Sequence, residues 1–540
     1  ILFVMPKTEV KIPPLSGFDK SHHVLLTAKP GTLVPVLCDE VIGNEPVDLE
    51  SIFSAAMAPL ATDTYMKVDL KVEAFFVPSR LLYGGFMDWL TNQPTYSPGV
   101  GTYKTVGIPH LRVSNGVAGF TGPGTLADYL GCRIAPADDP TAPTTLDVNI
   151  LPWLCYHRIY DDWYRAPLVQ KKVFNNPVYD TGGFAGVSRL STLPFVSYGN
   201  GQNKYFDETS RFDDGKYIFE LRQRNFGFDY FTTSLPHAQL GSAKGVSFTV
   251  SGGTGTISIA AIRGANSLQQ FAERNELAGY RYEDYLRANY GADLSSGVAQ
   301  RAVILGSGEI PVYSKGVYQT APFYATDSGN PTANPFADTP GATYGAVDCS
   351  GGLRLVKDFK AQEPGWIMVL VSLVPKVTYS NGIERMFARY NVDESQTDMA
   401  TPILQNVGNQ PVYRFELTGR ADDFINKGVF GWQDRYADFK YKPDRLAGLL
   451  RDGQSLDVFA LQRSVTGSPE INSQFLEIPT DYLDQVAAVE GSISEFGYWL
   501  QVFHRYRVSM PLSPFAIPSL QDPAYEHGKS ETIEVGGSRL

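Results

Sequence analysis

The chain has 540 residues, with 46 basic against 57 acidic side chains and a net charge of −11. A hydrophobic content of 43%, 12% of the chain being aromatic, excludes a disordered polymer, and the negative balance argues against a surface built wholly for nucleic acid. Charged residues make up only 19%, below the ~25% usual in soluble domains, so surface buried against other chains is expected.

Length alone suggests roughly three or four domains, yet no Gly/Ser- or Pro-rich linker divides the sequence. The chain opens on Ile1 rather than Met, which points to a start trimmed or lying upstream. Ile1 to Met5 is too short for a signal segment and lacks a basic flank. His22 and His23 are adjacent and would point to opposite faces of an extended segment, a poor start for a metal site. From Val68 to Phe76 apolar residues recur at every second position up to Pro78, which predicts a half-buried strand. Ser79 to Leu90 follows as a helix, with Leu82, Phe86 and Trp89 at helical spacing. Pro152 suits a first helical turn, and Trp153, Tyr156, Tyr160 and Trp163 then fall three and four apart as core contacts. On that helix His157 and Asp161 share a face and are expected to form a surface ion pair.

Val246–Val250 and Thr256–Ile262 flank four residues rich in glycine and predict a hairpin. Ser267 with Gln270 has the pattern of a capping box, and a second helical piece carries Tyr282, Tyr285 and Leu286 as far as Gly291. Ala135–Leu146 and Ala325–Val347 are long polar loops. Trp366–Leu373, inside the strongest apolar run, reads as a strand covered on both faces and is far too short for a membrane helix. Tyr498, Leu500, Val502, His504, Tyr506 and Val508 alternate with Trp499, Gln501, Phe503, Arg505 and Arg507, which reads as a strand. The result is a β-framework with large insertions.

Catalytic signatures are absent. Gly528-Lys529-Ser530 has Pro523 where a phosphate loop needs glycine, and neither GxSxG nor HExxH occurs. Cys38, Cys132, Cys155 and Cys349 are scattered without zinc spacing and are expected to be buried, reduced thiols. No metal, cofactor or catalytic residue is expected.

Lys427–Arg451 stands out. Lys427, Arg435, Lys440, Lys442, Arg445 and Arg451 face only Asp434, Asp438 and Asp444, and Phe430, Trp432, Tyr436, Phe439 and Tyr441 are interleaved. His504, Arg505 and Arg507 form a second small basic cluster. Two readings stand: a protein interface anchored by Arg and Tyr, which is preferred, or aromatic stacking and phosphate contact with single-stranded nucleic acid.

Several blocks, in order, resemble the major capsid proteins of the microviruses, on the gokushovirus-like side. They are Gly31–Val36 with Asp39-Glu40, Phe75–Leu81 with Trp89 beyond, Leu151-Pro152-Trp153 to Arg165, Asp229–Pro236, Tyr282–Gly291, Gly431–Pro443 and Met510-Pro511 to Ile517-Pro518. Stretches near 113–147, 180–215 and 322–348 do not align, so the outer decoration, including spikes at the threefold axes, is expected to differ. The resemblance implies a mainly β fold: an eight-stranded antiparallel jelly roll in a single domain spanning 1–540, whose long loop insertions contain short helices. It implies a non-enzymatic subunit of a T=1 icosahedral shell around a circular single-stranded DNA genome, assembled in the host bacterial cytoplasm. Its partners would be further copies of itself, the DNA, a small basic peptide, minor virion proteins and a host surface receptor, with no membrane. Lys427, Arg435, Tyr436, Lys440, Tyr441, Lys442, Arg445, Arg505 and Arg507 are the candidate DNA or interface residues. A jelly-roll lectin or spike, and more distantly a jelly-roll glycoside hydrolase, are the rival readings.

Overall fold

The computed structural model describes residues 7–12, 15–62, 64–65, 67–83, 86–91, 95–97, 102–104, 108–114, 122–132, 145–173, 212, 214–238, 263–264, 267, 270, 287, 301–319, 343–390, 401–488, 491–512 and 529–534. Nine strands form the main sheet: β1 (Ser16–Asp19), β2 (His22–Ala28), β3 (Val34–Val41), β4 (Glu45–Met57), β5 (Val68–Pro78), β6 (Val303–Gln319), β7 (Thr343–Ala361), β8 (Gly365–Pro375) and β9 (Tyr498–Met510). Their order is β1–β9–β4–β7–β6–β5–β8–β3, with β2 continuing β1 along the same edge of β9. Every neighbouring pair is antiparallel.

Alternation decides how this sheet folds over. On β4 the inward side chains are Val47, Leu49, Phe53, Ala55 and Met57; on β9 they are Tyr498, Leu500, Val502, Tyr506 and Val508. These merge into one apolar cluster with Val68, Leu70, Val72 and Ala74 of β5 and Ile367, Val369, Val371 and Leu373 of β8. Two halves of one sheet therefore face each other as a sandwich, each large aliphatic side chain contributing about 1.5–3 kcal/mol by leaving water.

Among the described residues, only one half carries a second apolar layer outside. Phe75 and Val77 of β5 and Trp366, Met368 and Leu370 of β8 pack against a second cluster containing Leu151, Trp153, Leu154, Tyr156 and Ile159. Those residues belong to helix α1 (Leu151–Ile159), which has Pro152 in its first turn and continues as a π-turn over Tyr160–Tyr164. The Tyr156 hydroxyl donates to Leu33 O at 2.8 Å and accepts from Arg222 N at 2.8 Å, tying the helix to the strand margin. All eleven residues of β8 are buried, as the unbroken apolar run predicts, and β9 alternates buried with exposed up to Val508.

Some expectations are corrected. β5 is not half-buried: it is almost wholly enclosed, and its half-exposed polar residues are paired, Lys71 with Glu309 opposite it on β6 and Glu73 with Arg224. The helix expected over Ser79–Leu90 is two short pieces, Ser79–Leu82 and Phe86–Leu90, because Tyr83 is extended. His157 is not at a surface. It is fully buried, its Nε2 lies 2.8 Å from Ile218 O, and its Nδ1 accepts from Arg222 Nε at 3.0 Å. Burial and the Arg222 charge hold His157 well below the usual histidine range, so it is neutral. Asp161 pairs instead with Arg165 at 2.6 Å. Ser267 is itself helical and so is no N-cap. The stretch 325–347 is not all loop, since β7 begins at Thr343. The hairpin expected at 246–262 and Tyr282, Tyr285 and Leu286 lie outside the described residues. Lys529 begins a strand paired with Lys7–Ile12. The four cysteines are free; Cys155 and Cys349 are buried, whereas Cys38 and Cys132 are half-buried.

Candidate subunit and nucleic-acid interface

Two blocks singled out by the sequence, 229–236 and 431–443, lie about two hundred positions apart and meet in space. Leu235 and Trp432 exchange backbone hydrogen bonds at 2.7 and 2.8 Å. That approach needs glycine at 431, since a Cβ there would lie 2.9 Å from Ser234 Cβ. Gln433 Nε2 donates to Tyr230 O at 2.8 Å and to Thr233 Oγ1 at 2.6 Å. Around the join, Phe231 packs edge-on against Tyr230, Tyr379 and Phe430, and Phe430 in turn packs on Phe475. These rings form a third core of their own. Under it Glu416 is buried, accepting from Tyr413 N at 2.9 Å and Tyr230 Oη at 3.1 Å, with Arg385 at 3.8 Å. Burial pushes its carboxyl up to about 7, the Arg385 charge opposing.

The cations of 427–451 are knit into this module. Lys440 pairs with Asp434, and Lys442 lies 3.7 Å from Glu384. Arg445 donates to Gly382 O at 3.3 Å, and Arg451 to Ser380 O at 2.9 Å and Asn381 Oδ1 at 3.1 Å. Arg435 lies over the ring of Tyr436 at 5.3 Å. Tyr436 is buried and takes a left-handed backbone, φ 65°, with its N–H donating to Gln410 Oε1 at 2.9 Å. Lys427 is half-buried and left-handed after the helix Ala421–Asn426. The acids are engaged from outside the segment as well: Asp438 by Arg389, Asp444 by Lys67 at 3.3 Å. Apolar side chains face outward beside the exposed Asp434, Lys440, Lys442 and Asp444: Phe439, Tyr441 and Leu449, with Met386, Phe387, Tyr390, Ile403 and Ile425 from the flanking segments.

Arg505 and Arg507 sit elsewhere, on the uncovered face of β9 with Trp499, Gln501 and Phe503. Arg505 Nη1 donates to Glu50 Oε2 at 2.8 Å, and Arg507 stands in register between Asp48 and Asp19. Asp19 is held below the usual carboxylate range chiefly by its hydrogen bonds from Ser21. His504 does not belong to this cluster. A strand turns successive side chains to opposite faces, so His504 points inward, fully buried, 2.8 Å from Ser51 Oγ. Burial and neighbouring His22 bring it down to about 4, leaving it uncharged at neutral pH. At one end of the open face lies a cleft of about 770 Å³ lined by Leu25, Thr27, Ser54, Ala56, Tyr129, Trp499 and Gln501.

Glu416 and Tyr379 escaped the sequence reading, and Asp229 and Gln433 entered it only as members of the blocks 229–236 and 431–443. Only Asp229 left a local signal, an Asp three residues before Thr232 in a turn; the others are defined by partners far along the chain. Among the described residues, no group of three or more His, Cys, Asp or Glu side chains could hold a metal ion, and no helix is long and apolar enough to cross a membrane.

Comparison with known proteins finds a family model described as "Capsid protein (F protein)" matching residues 10–254 and 248–520. Capsid protein VP1 of Chlamydia phage 1 is 24% identical over 601 aligned positions, covering 94% of this chain and 96% of that protein. Capsid protein VP1 of Bdellovibrio phage phiMH2K is 23% identical, covering 86% and 88%, and that of Spiroplasma virus 4 is 22% identical, covering 90% of each.

Proposed function

The chain belongs to the capsid-protein family of the microviruses, and on that premise we propose that it closes, as a jelly-roll subunit, a T=1 icosahedral shell around a circular single-stranded DNA genome. The family establishes a major capsid protein of a virion that assembles with copies of itself; the particle geometry, genome and assembly in the host cytoplasm are our reading. One observation carries it. Counting β1 and β2 as one position, the first strand pairs with the last, the second with the next to last, the third with the third from last, and the two middle strands with each other. That nested pairing is what rolling a long hairpin into two Greek keys produces. The whole chain is then one domain, with its insertions near 113–147, 180–215 and 322–348 serving as outer decoration.

In this reading the module carrying Lys427, Arg435, Tyr436, Lys440, Tyr441, Lys442 and Arg445 is a subunit contact. Lys440 and Lys442 lie against Asp434 and Glu384, Arg445 donates to a backbone carbonyl, and exposed aromatic and aliphatic side chains stand beside them. The open face of β9, where Trp499, Gln501 and Phe503 are followed by Arg505 and Arg507, is the candidate DNA face, with Arg505 exchanging its exposed pair with Glu50 for phosphate. A chain of net charge −11 cannot neutralise a genome, so a small basic peptide or cations must accompany the DNA. Minor virion proteins and a host receptor complete the expected partners.

Sedimentation and negative-stain microscopy of the purified full-length chain test the reading. Closed shells with nuclease-protected DNA are expected. A protein that stays monomeric at high concentration, with no particle in infected cells, would overturn it.

A further inference from the structure

Phe228 is the most exposed large apolar residue described, at 95%, and it is anything but loose. The carbonyl of Gly227 accepts from Thr232 Oγ1 at 2.9 Å, and the N–H of Asp229 donates to that same oxygen at 2.9 Å. The two peptide groups that set the backbone angles of Phe228 are thus tied to one hydroxyl. Asp229 locks the turn further: Oδ1 accepts from Phe231 N at 2.8 Å and Thr232 N at 2.7 Å, and Oδ2 accepts from Tyr379 Oη at 2.8 Å. On the other side Phe226 is buried, its ring 5.3 Å from Tyr482 and 4.4 Å from the Arg463 guanidinium. The chain anchors one phenylalanine and, two residues later, holds a second out in water on a fixed base.

The bonds steady the turn, but the exposed ring itself adds nothing to a monomer. Exposing a ring forgoes its burial, and three side chains spend their hydrogen bonds on keeping it in place. An aromatic whose backbone is already ordered before contact meets part of the cost that an interface hot spot must cover.

We propose that Phe228 is a preformed knob that inserts into an apolar socket on a neighbouring copy of this chain. The proposal rests on the capsid reading, which requires the chain to bury surface against itself. Charge selects a protein partner over DNA. Among the described residues the cations of the same stretch are committed, Lys216 to Glu220, Arg222 to Asp214 and Arg224 to Glu73, and Arg463 is turned onto the rings of Phe226 and Phe475. Knob and socket are different surfaces, so the contact is heterologous, the type that propagates around a ring of subunits.

The test compares full-length wild type, Phe228→Ala, Phe228→Leu and Thr232→Val. Phe228→Ala should unfold at the wild-type temperature as a dissociated protomer, while the concentration needed for assembly rises at least about tenfold. Phe228→Leu should recover part of the loss. Thr232→Val, which keeps the ring but frees its backbone, should raise the threshold about threefold, and it decides the matter if Phe228→Ala fails to fold. An unchanged threshold in Phe228→Ala overturns the proposal. So do shells that form normally but protect less DNA, or that carry normal DNA and only fail to adsorb to cells. If wild type itself yields no oligomer, the capsid reading fails instead, which is a separate result.

Discussion

The two halves of the sandwich share one hydrogen-bonded ladder and one interior, yet they were built for different neighbours. β5 and β8 carry α1 on their backs, and every residue of β8 is out of water. Among the described residues β4 and β9 carry no such helix; the segment with Tyr129 meets one end, and Ile52, Trp499 and Phe503 stay exposed beside Arg505 and Arg507. Backbone pairing does not distinguish a structural face from a working one; the second covering layer does. Where the chain supplies its own cover, the face is spent on stability. Where it does not, apolar residues left in water are available to whatever the particle supplies.

Cavity mutants should separate the halves most sharply. Leu370→Ala on β8 removes a side chain enclosed between sheet and helix and should cost about 4 kcal/mol, whereas Trp499→Ala on the open face should cost under about 1 kcal/mol. Chemical denaturation of the dissociated protomer measures both, and equal losses would break the comparison. Acid should come next. His504, on the inner side of the open half, has its proton affinity depressed to about 4, so it contributes stability that is fully present above about pH 6.5 and lost as pH falls through 4. The full loss is on the order of 3 kcal/mol. His504→Gln should flatten the protomer's melting temperature between pH 6.5 and 4; an unchanged acid limb would mean another group sets it. Smallest in stability is Arg505→Ala. It breaks an exposed pair with Glu50 and should shift unfolding by less than about 1 kcal/mol, while nuclease-protected DNA per particle falls.

Cover was legible where it altered local pattern. The unbroken run of β8 and the alternation of β9 announced two-sided and one-sided burial, and the aromatic spacing after Pro152 announced α1. It was illegible where a distant partner stood in for solvent. Lys71 and Glu73 look like surface residues of an alternating strand, but Glu309 and Arg224 meet them from elsewhere in the chain. His157 looks like half of an i,i+4 pair until Arg222 and Ile218 O claim it. The basic excess of 427–451 is a sum over sequence, and Glu384, Arg389 and Lys67 redistribute it in space. Phe228 was passed over because no local pattern marks a lone aromatic as deliberately displayed.

The pairing of the first strand with the last sets a clock on biosynthesis. β1 and β2 leave the ribosome early and must wait for β9, some five hundred residues behind them. A nascent chain therefore has no finished wall to offer a neighbour, and translation runs nearly to its end before subunits become competent. On the assembly reading proposed above, a half-made copy lacks the wall it would offer a shell, a safeguard written into connectivity.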